Sequence, residues 1–283
     1  MKRDSTSAPG PAERGRKTGM AQERLMIVSA HAADFCIRAG GVIAKYFSTG
    51  RMVRVLVSSL GARGESNEIW RARGGQTSEE EVGEVRRQEA AAAAQILGAE
   101  VVFLDYPDQP LTFDRERIMR LVREIRSFMP FAILTHPSVE PYNPDHASAC
   151  RATLEAIYYA QLDGVEPDLP VIPPPHVLMF EPSQPMAEAT GFVPDTFIDI
   201  TDVMDQKMRA VGEFKTQPFH VERYRSRAVA RAAQAAYVAG DPEIRFAEAY
   251  QRYTPWVGHS FTEVFRREAH EEAIVRVSAG RVR

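Results

Sequence analysis

The chain has 283 residues, 44% of them hydrophobic, with a formal net charge of -3 and two cysteines, Cys36 and Cys150. That length and apolar content suffice for one large core, and the near-neutral charge offers no electrostatic basis for binding nucleic acid or an anionic membrane. Two cysteines make no disulfide framework, no apolar run is long enough to span a bilayer, and no apolar leader is visible, so a cytoplasmic protein is expected.

Residues 1–24 are rich in Lys, Arg, Ser, Pro and Gly and are expected to form a disordered extension, with Met20 a candidate internal start just before the first strand. β-type runs then fall at 25–30, 52–60, 101–104, 132–135, 176–180 and 197–200. Helical patterns lie between the early ones, at 38–48, 78–97, 114–128 and 147–160, with Gly50, Gly98 and Pro130 punctuating their ends. The alanine run 90–94 suits a helix packed closely on a sheet. After a proline-rich connection at 167–175, the stretches 202–215, 222–239 and 242–252 read as helical. Alternation of this kind predicts a Rossmann-like three-layer α/β/α fold with a mostly parallel sheet. A single catalytic domain over 25–258 is expected, followed by a charged tail or helix at 259–283.

In open parallel sheets, ligands bind beyond the carboxyl ends of the strands, so the residues that follow each strand are the first candidates. Strand one runs into His31 and Asp34, strand two into Arg63 and Glu65, and strand three into Asp105 and Asp108. Strand four is followed by His136, Glu140, Tyr142, Asn143, Asp145 and His146, and strand five by Glu181 and Gln184. This density of imidazoles and carboxylates on one rim carries more weight than any single motif.

His31 and Asp34, three residues apart across a strand-to-helix turn, can converge on one cation, and a third ligand from a distant loop would leave positions open for water and substrate. Taken alone, Asp34 reads more readily as a helix cap beside an incidental histidine, a preference the rim context reverses, and Asn143-Pro144-Asp145 reads as a capping turn. Asp145 can orient a ligand or handle a proton, and His136 can be a ligand or, the favoured reading, a strand-end histidine bonded to backbone. Glu65 lies in a glycine-flanked loop where no packing role explains a carboxylate. Arg38, Arg63 and Arg71 can each bind a carboxylate or serve a structural ion pair. Cys36 and Cys150 read as small buried side chains.

The stretches Ala30-His31-Ala32-Ala33-Asp34 and Asn143-Pro144-Asp145-His146 resemble the two motifs of the PIG-L/LmbE family of zinc-dependent N-acetylglucosaminyl deacetylases. Gly40-Gly41, the segment 86–89, Leu97-Gly98 and Tyr106-Pro107-Asp108 extend the resemblance. It implies one divalent metal, zinc, held by His31, Asp34 and His146. Two positions depart from the family pattern. Its general base is replaced by Ala33, and the histidine that assists its tetrahedral intermediate by Asn143. A methyl group accepts no proton, and an amide cannot donate as an imidazolium does.

A narrower resemblance is to the PIG-L-type 4-oxalomesaconate hydratases of gallate degradation. It rests on the residues around His31 and Arg38, around Arg63, Glu65 and Arg71, on 141–146, on Phe180 to Gln184, and on 247–251. It implies a hydro-lyase acting on a 2-oxo tricarboxylate, with Glu65 as the expected base, Asp145 the second choice, and Tyr142, His220 and Glu181 as further candidates. Asn143 belongs to the same catalytic group, while Arg38, Arg63, Arg71, Glu181 and His220 are expected to hold substrate. Neither nucleic acid nor membrane is an expected partner, and a homo-oligomer is. A metal-dependent amide hydrolase and an inactive metal-binding relative acting as a partner protein are the alternatives.

Overall fold

The computed structural model describes residues 23–183, 187 and 190–257; the expected extension up to residue 22 and the charged segment from 258 lie outside the described residues. The first half alternates as expected: β1 (Arg24–Ser29), α1 (Asp34–Ser48), β2 (Met52–Val57), α2 (Asn67–Ala72), α3 (Glu79–Leu97), β3 (Glu100–Phe103), α4 (Arg115–Phe128), β4 (Ala132–Thr135) and α5 (Pro144–Ala160). The second half adds β5 (His176–Phe180), β6 (Thr196–Asp199), α6 (Met204–Val211), α7 (His220–Ala239) and β7 (Ala247–Arg252).

These strands form one seven-stranded sheet in the order β3-β2-β1-β4-β5-β7-β6. The pairs β1–β2, β2–β3, β1–β4 and β4–β5 are parallel, and β7 runs antiparallel to both β5 and β6. Strand side chains alternate between two faces. Leu25 and Ile27 of β1 join a core with α1, α3, α6 and α7, whereas Met26 and Val28 join the opposite core with α4 and α5. The layers expected from the alternation are therefore present, with β1 flanked by β2 and β4 inside the sheet.

Local chemistry explains the helix ends. Ser78 and Glu81 close a capping box at the start of α3, and Asp114 Oδ1 accepts from Arg117 N at the start of α4. Ala90, Ala93 and Ala94 of α3 are buried in the first core, where their small side chains allow close approach. Gly41 serves the same end in α1: a Cβ there would lie 2.5 Å from Ile200 Cγ2.

The helix expected at 242–252 is corrected. Its second part is the strand β7, and α2, lying in the loop after β2, was not expected from the sequence. Residues 247–252 carry Ala, Glu, Gln and Arg, all sound helix formers. Tertiary pairing overrides that propensity. Ala247 packs on Ala232 and Ala235 of α7, while Glu248 and Tyr250 reach the other face, toward α1. Glu248 is buried there and accepts from the amides of Gly41 and Val42, from Lys207 Nζ and from Tyr250 Oη.

Candidate metal centre

The carboxyl ends of β1, β2 and β4 bring the rim residues together. The chain leaves β1 through Ala30 and turns at His31, and Asp34 opens α1 with its Oδ2 accepting from the His31 amide at 2.8 Å. The loop after β2 brings up Glu65. Gly61 makes this approach possible, because its φ of +68° suits glycine and a Cβ would sit 3.3 Å from His31 Cβ. From the β4 side, Asn143 caps α5, its Oδ1 accepting from the Asp145 amide at 3.2 Å, and His146 enters on the first turn of that helix.

His31, Asp34, Glu65 and His146 each offer a ligand atom, and these atoms lie within 4.8 Å of one another. His31, Asp34 and His146 are buried. The ring of His31 is held at one nitrogen: Nε2 meets Asp145 Oδ2 at 3.1 Å. Asp145 accepts two backbone hydrogen bonds as well, from Gln109 and Leu111, each at 2.9 Å. Burial opposes its charge, but the His31 contact and these amides win and hold its carboxyl at about 2. An ionised carboxylate only accepts, so Nε2 carries the proton and the lone pair of His31 lies on Nδ1.

That Nδ1 is buried without a hydrogen-bond partner, although Glu65 Oε1 is 3.1 Å away and Asp34 Oδ2 3.6 Å away. Both ring nitrogens of His146 are also buried and unpartnered, with Nε2 3.5 Å from Asp34 Oδ1. Orphaned imidazole nitrogens facing carboxylates at this spacing are costly unless something fills the gap. A divalent cation fits the donor set.

The electrostatics point the same way. Burial disfavours a charged His31, yet Glu65, Asp145 and Asp34 outweigh it and raise the ring well above its ordinary range. Burial likewise opposes the charge on Glu65, but His31 and Arg86 prevail over the repulsion of Asp34 and hold the carboxyl at about 2. A cation among these carboxylates would balance their charge and leave the His31 lone pair free to ligate.

The remaining site candidates separate by position. Arg38, Glu65, Arg71, Tyr142, Asn143, His146 and His220 line a cleft of about 400 Å³ above the cluster. Asn143 Nδ2 donates to Glu65 Oε1 at 3.2 Å, so the residue is both a helix cap and a site residue. Arg38 is turned toward the protein: Nε meets Asp34 Oδ1 at 3.3 Å, Nη1 the Glu181 carbonyl and Nη2 Ser183 Oγ at 2.9 Å. Arg63 is exposed and lies 3.9 Å from Glu79 Oε2, outside the cleft lining. Glu181 pairs with Arg231 and also lies outside that lining. His136 accepts from the Ala30 amide at 3.0 Å, in keeping with a strand-end role, and burial with the nearby His146 lowers it to about 3.

Several residues of the cleft were missed from sequence. Gln109, Ser183, Thr216, Gln217, Phe219, Arg223 and Tyr224 line it, most of them around the start of α7. Arg86, fully buried, joins that wall to the site, donating to Thr216 Oγ1 and Gln217 Oε1 at 2.8 Å and to Glu65 Oε2 at 3.5 Å. Glu89 accepts from the Thr216 amide and hydroxyl. The motif at 86–89 was visible in the sequence, but its partners lie too far along the chain for spacing to reveal.

A doubly wound α/β domain with a His/Asp/Glu cation cluster on its carboxyl rim defines the class, and a match over residues 26–157 to the family described as PIG-L: GlcNAc-PI de-N-acetylase agrees. The chain belongs to the PIG-L family. It is 39% identical over 245 residues to 4-oxalmesaconate hydratase of Pseudomonas putida KT2440, an alignment covering 86% of this chain and 93% of the relative. The crystal structure of GalB, the 4-carboxy-2-hydroxymuconate hydratase of Pseudomonas putida KT2440, superposes with a TM-score of 0.80 at 39% identity, covering 84% of this chain and 99% of that one. Diacetylchitobiose deacetylase of Thermococcus kodakarensis is more distant, 30% identical over 203 residues and covering 69% of this chain and 70% of the relative.

Proposed function

We propose that this chain is a metal-dependent hydro-lyase that adds water to 4-oxalmesaconate, or to a similar 2-oxo polycarboxylate, giving 4-carboxy-4-hydroxy-2-oxoadipate in the breakdown of aromatic acids such as gallate and protocatechuate. One observation carries the reading within the family. Beside Asp34, where the deacetylase motif has its base, this chain has the buried methyl of Ala33, and the carboxylate that completes the cluster comes from Glu65 on another loop. The 39% identity to a hydratase over most of the chain supports the same choice.

His31, Asp34 and His146 are the proposed ligands of one divalent ion, zinc by the nitrogen and carboxylate donors they offer. When bound, the ion supplies Lewis-acid stabilisation of negative charge on an oxo or enol oxygen. The chain's own residues do the rest. The two hydratase names describe keto and enol forms of one skeleton. Protonation of the dienol at its far carbon, with loss of its hydroxyl proton, leaves a 2-oxo-3-ene; hydroxide from water then adds to the carbon β to the oxo group, and the carbon between is protonated. One water is consumed, and its proton must be taken up by the protein and returned to carbon.

Glu65 is ionised at neutral pH, faces the cluster and lines the cleft, so it is the proposed base. Asn143 holds its Oε1 and Arg86 its Oε2. Asp145 is better employed orienting His31 than transferring protons, since both its oxygens are already engaged. Tyr142 and His220, both in the lining, are the candidates for the second proton. Arg71 lies in the cleft to meet substrate carboxylates, and Arg38 acts through Asp34.

The test is to incubate metal-loaded protein separately with 4-oxalmesaconate and with N-acetylglucosaminyl substrates. Loss of the unsaturated chromophore without release of acetate is the expected result; acetate release with no hydration would overturn the reading in favour of an amide hydrolase.

A further inference from the structure

The positive charge around the cleft is unevenly committed. Arg38, at its base, spends all three guanidinium nitrogens on Asp34, Glu181 and Ser183. Two other arginines belong to the described lining, Arg71 on α2 and Arg223 in the first turn of α7. Arg71 stands three residues from Glu68, which lines the same mouth, and on a helix such positions are neighbours, so an acidic residue shares its stretch of wall. Arg223 has a different setting. The adjacent Glu222 is outside the lining and accepts from Ser226 Oγ at 3.0 Å.

The guanidinium of Arg223 lies over the ring of Phe219, its carbon 4.9 Å from the centroid, and Phe219 lines the cleft too. Stacking fixes the plane of a guanidinium while leaving its edge N–H groups for a carboxylate, a role lysine cannot copy. The first turn of a 20-residue helix adds partial positive charge. That wall is firmly placed, because Arg86 and Glu89 of α3 bind the Thr216–Gln217 segment leading into it.

A 2-oxo tricarboxylate whose oxo-acid end meets the metal centre carries two further carboxylates, and these need cations on the facing wall. Resting on the hydratase reading, we infer that Arg223 receives a carboxylate beyond the 2-oxo acid end of the substrate and thereby selects polycarboxylates over 2-oxo monocarboxylates. The contact is a two-pronged guanidinium–carboxylate pair at the cleft mouth.

Calorimetry on metal-loaded protein tests this with two ligands of equal carbon chain, 2-oxopentanedioate and 2-oxopentanoate, which differ in the terminal carboxylate. Wild-type protein should prefer the dicarboxylate. In R223M its affinity should fall about tenfold or more while that for the monocarboxylate stays unchanged, so the preference collapses. R223K should recover only part of it, and the loss in turnover of the tricarboxylate should appear in KM. A preference retained in R223M, or equal weakening of both ligands, overturns the inference. Failure of wild-type protein to hydrate the tricarboxylate would sink the functional reading instead, and the ligand preference would still judge Arg223.

Discussion

Asp145 and Glu65 are both carboxylates beside His31, yet their surroundings give them different work. Asp145 has two backbone donors and the His31 Nε2 proton, an arrangement that fixes a ring, and it lies outside the cleft lining. Replacing it by Asn should weaken zinc binding about 10- to 100-fold, as loss of an orienting carboxylate does, measured by competition with a chromophoric chelator. Unchanged affinity would remove Asp145 from the metal's support. Glu65 is held by an amide and a buried guanidinium while facing the cleft. Glu65→Gln should slow hydration about 100-fold or more with metal content preserved by elemental analysis. A full rate with the metal in place would show that Glu65 is not the base.

At the scale of elements, the sequence revealed what local chemistry controls. The β1 turn, the start of a helix at Ser78 and the Asn143-Pro144 capping turn are written within a few residues, and the metal candidates lie at the first and last of these. β7 was misread because its residues favour helix, and only burial between β5 and β6 makes them a strand. The α7 wall was illegible for a related reason: Phe219, His220 and Arg223 line one cleft with Asp34, Glu65 and His146 through tertiary packing, which no spacing records. Arg38 and Arg63 show the converse. Both were expected at the substrate; Arg38 lines the cleft while bonded to Asp34, and Arg63 lies outside the lining. Contact between α1 and the end of β6 depends on Gly41, where a Cβ would meet Ile200 at 2.5 Å. Gly41→Ala should cost about 1–3 kcal/mol in denaturant unfolding. A variant as stable as wild type would mean that this packing yields without strain.

Over the whole molecule, the parallel strands β1, β2 and β4 and the antiparallel edge divide the labour. The former deliver the cation cluster at their carboxyl ends, while β7 uses Glu248 to anchor α1 and Lys207. The residues proposed to hold the metal thus share a scaffold with Ala33 and Asn143, the two positions that depart from the deacetylase motif. The central claim is that this altered site hydrates a carbon–carbon double bond. Carbon NMR of 4-oxalmesaconate incubated with zinc-loaded protein tests it most directly. The account predicts loss of the olefinic signals and growth of a fully substituted carbon bearing a hydroxyl. An unchanged olefin, under conditions where the same preparation releases acetate from an N-acetylglucosaminyl substrate, would contradict it.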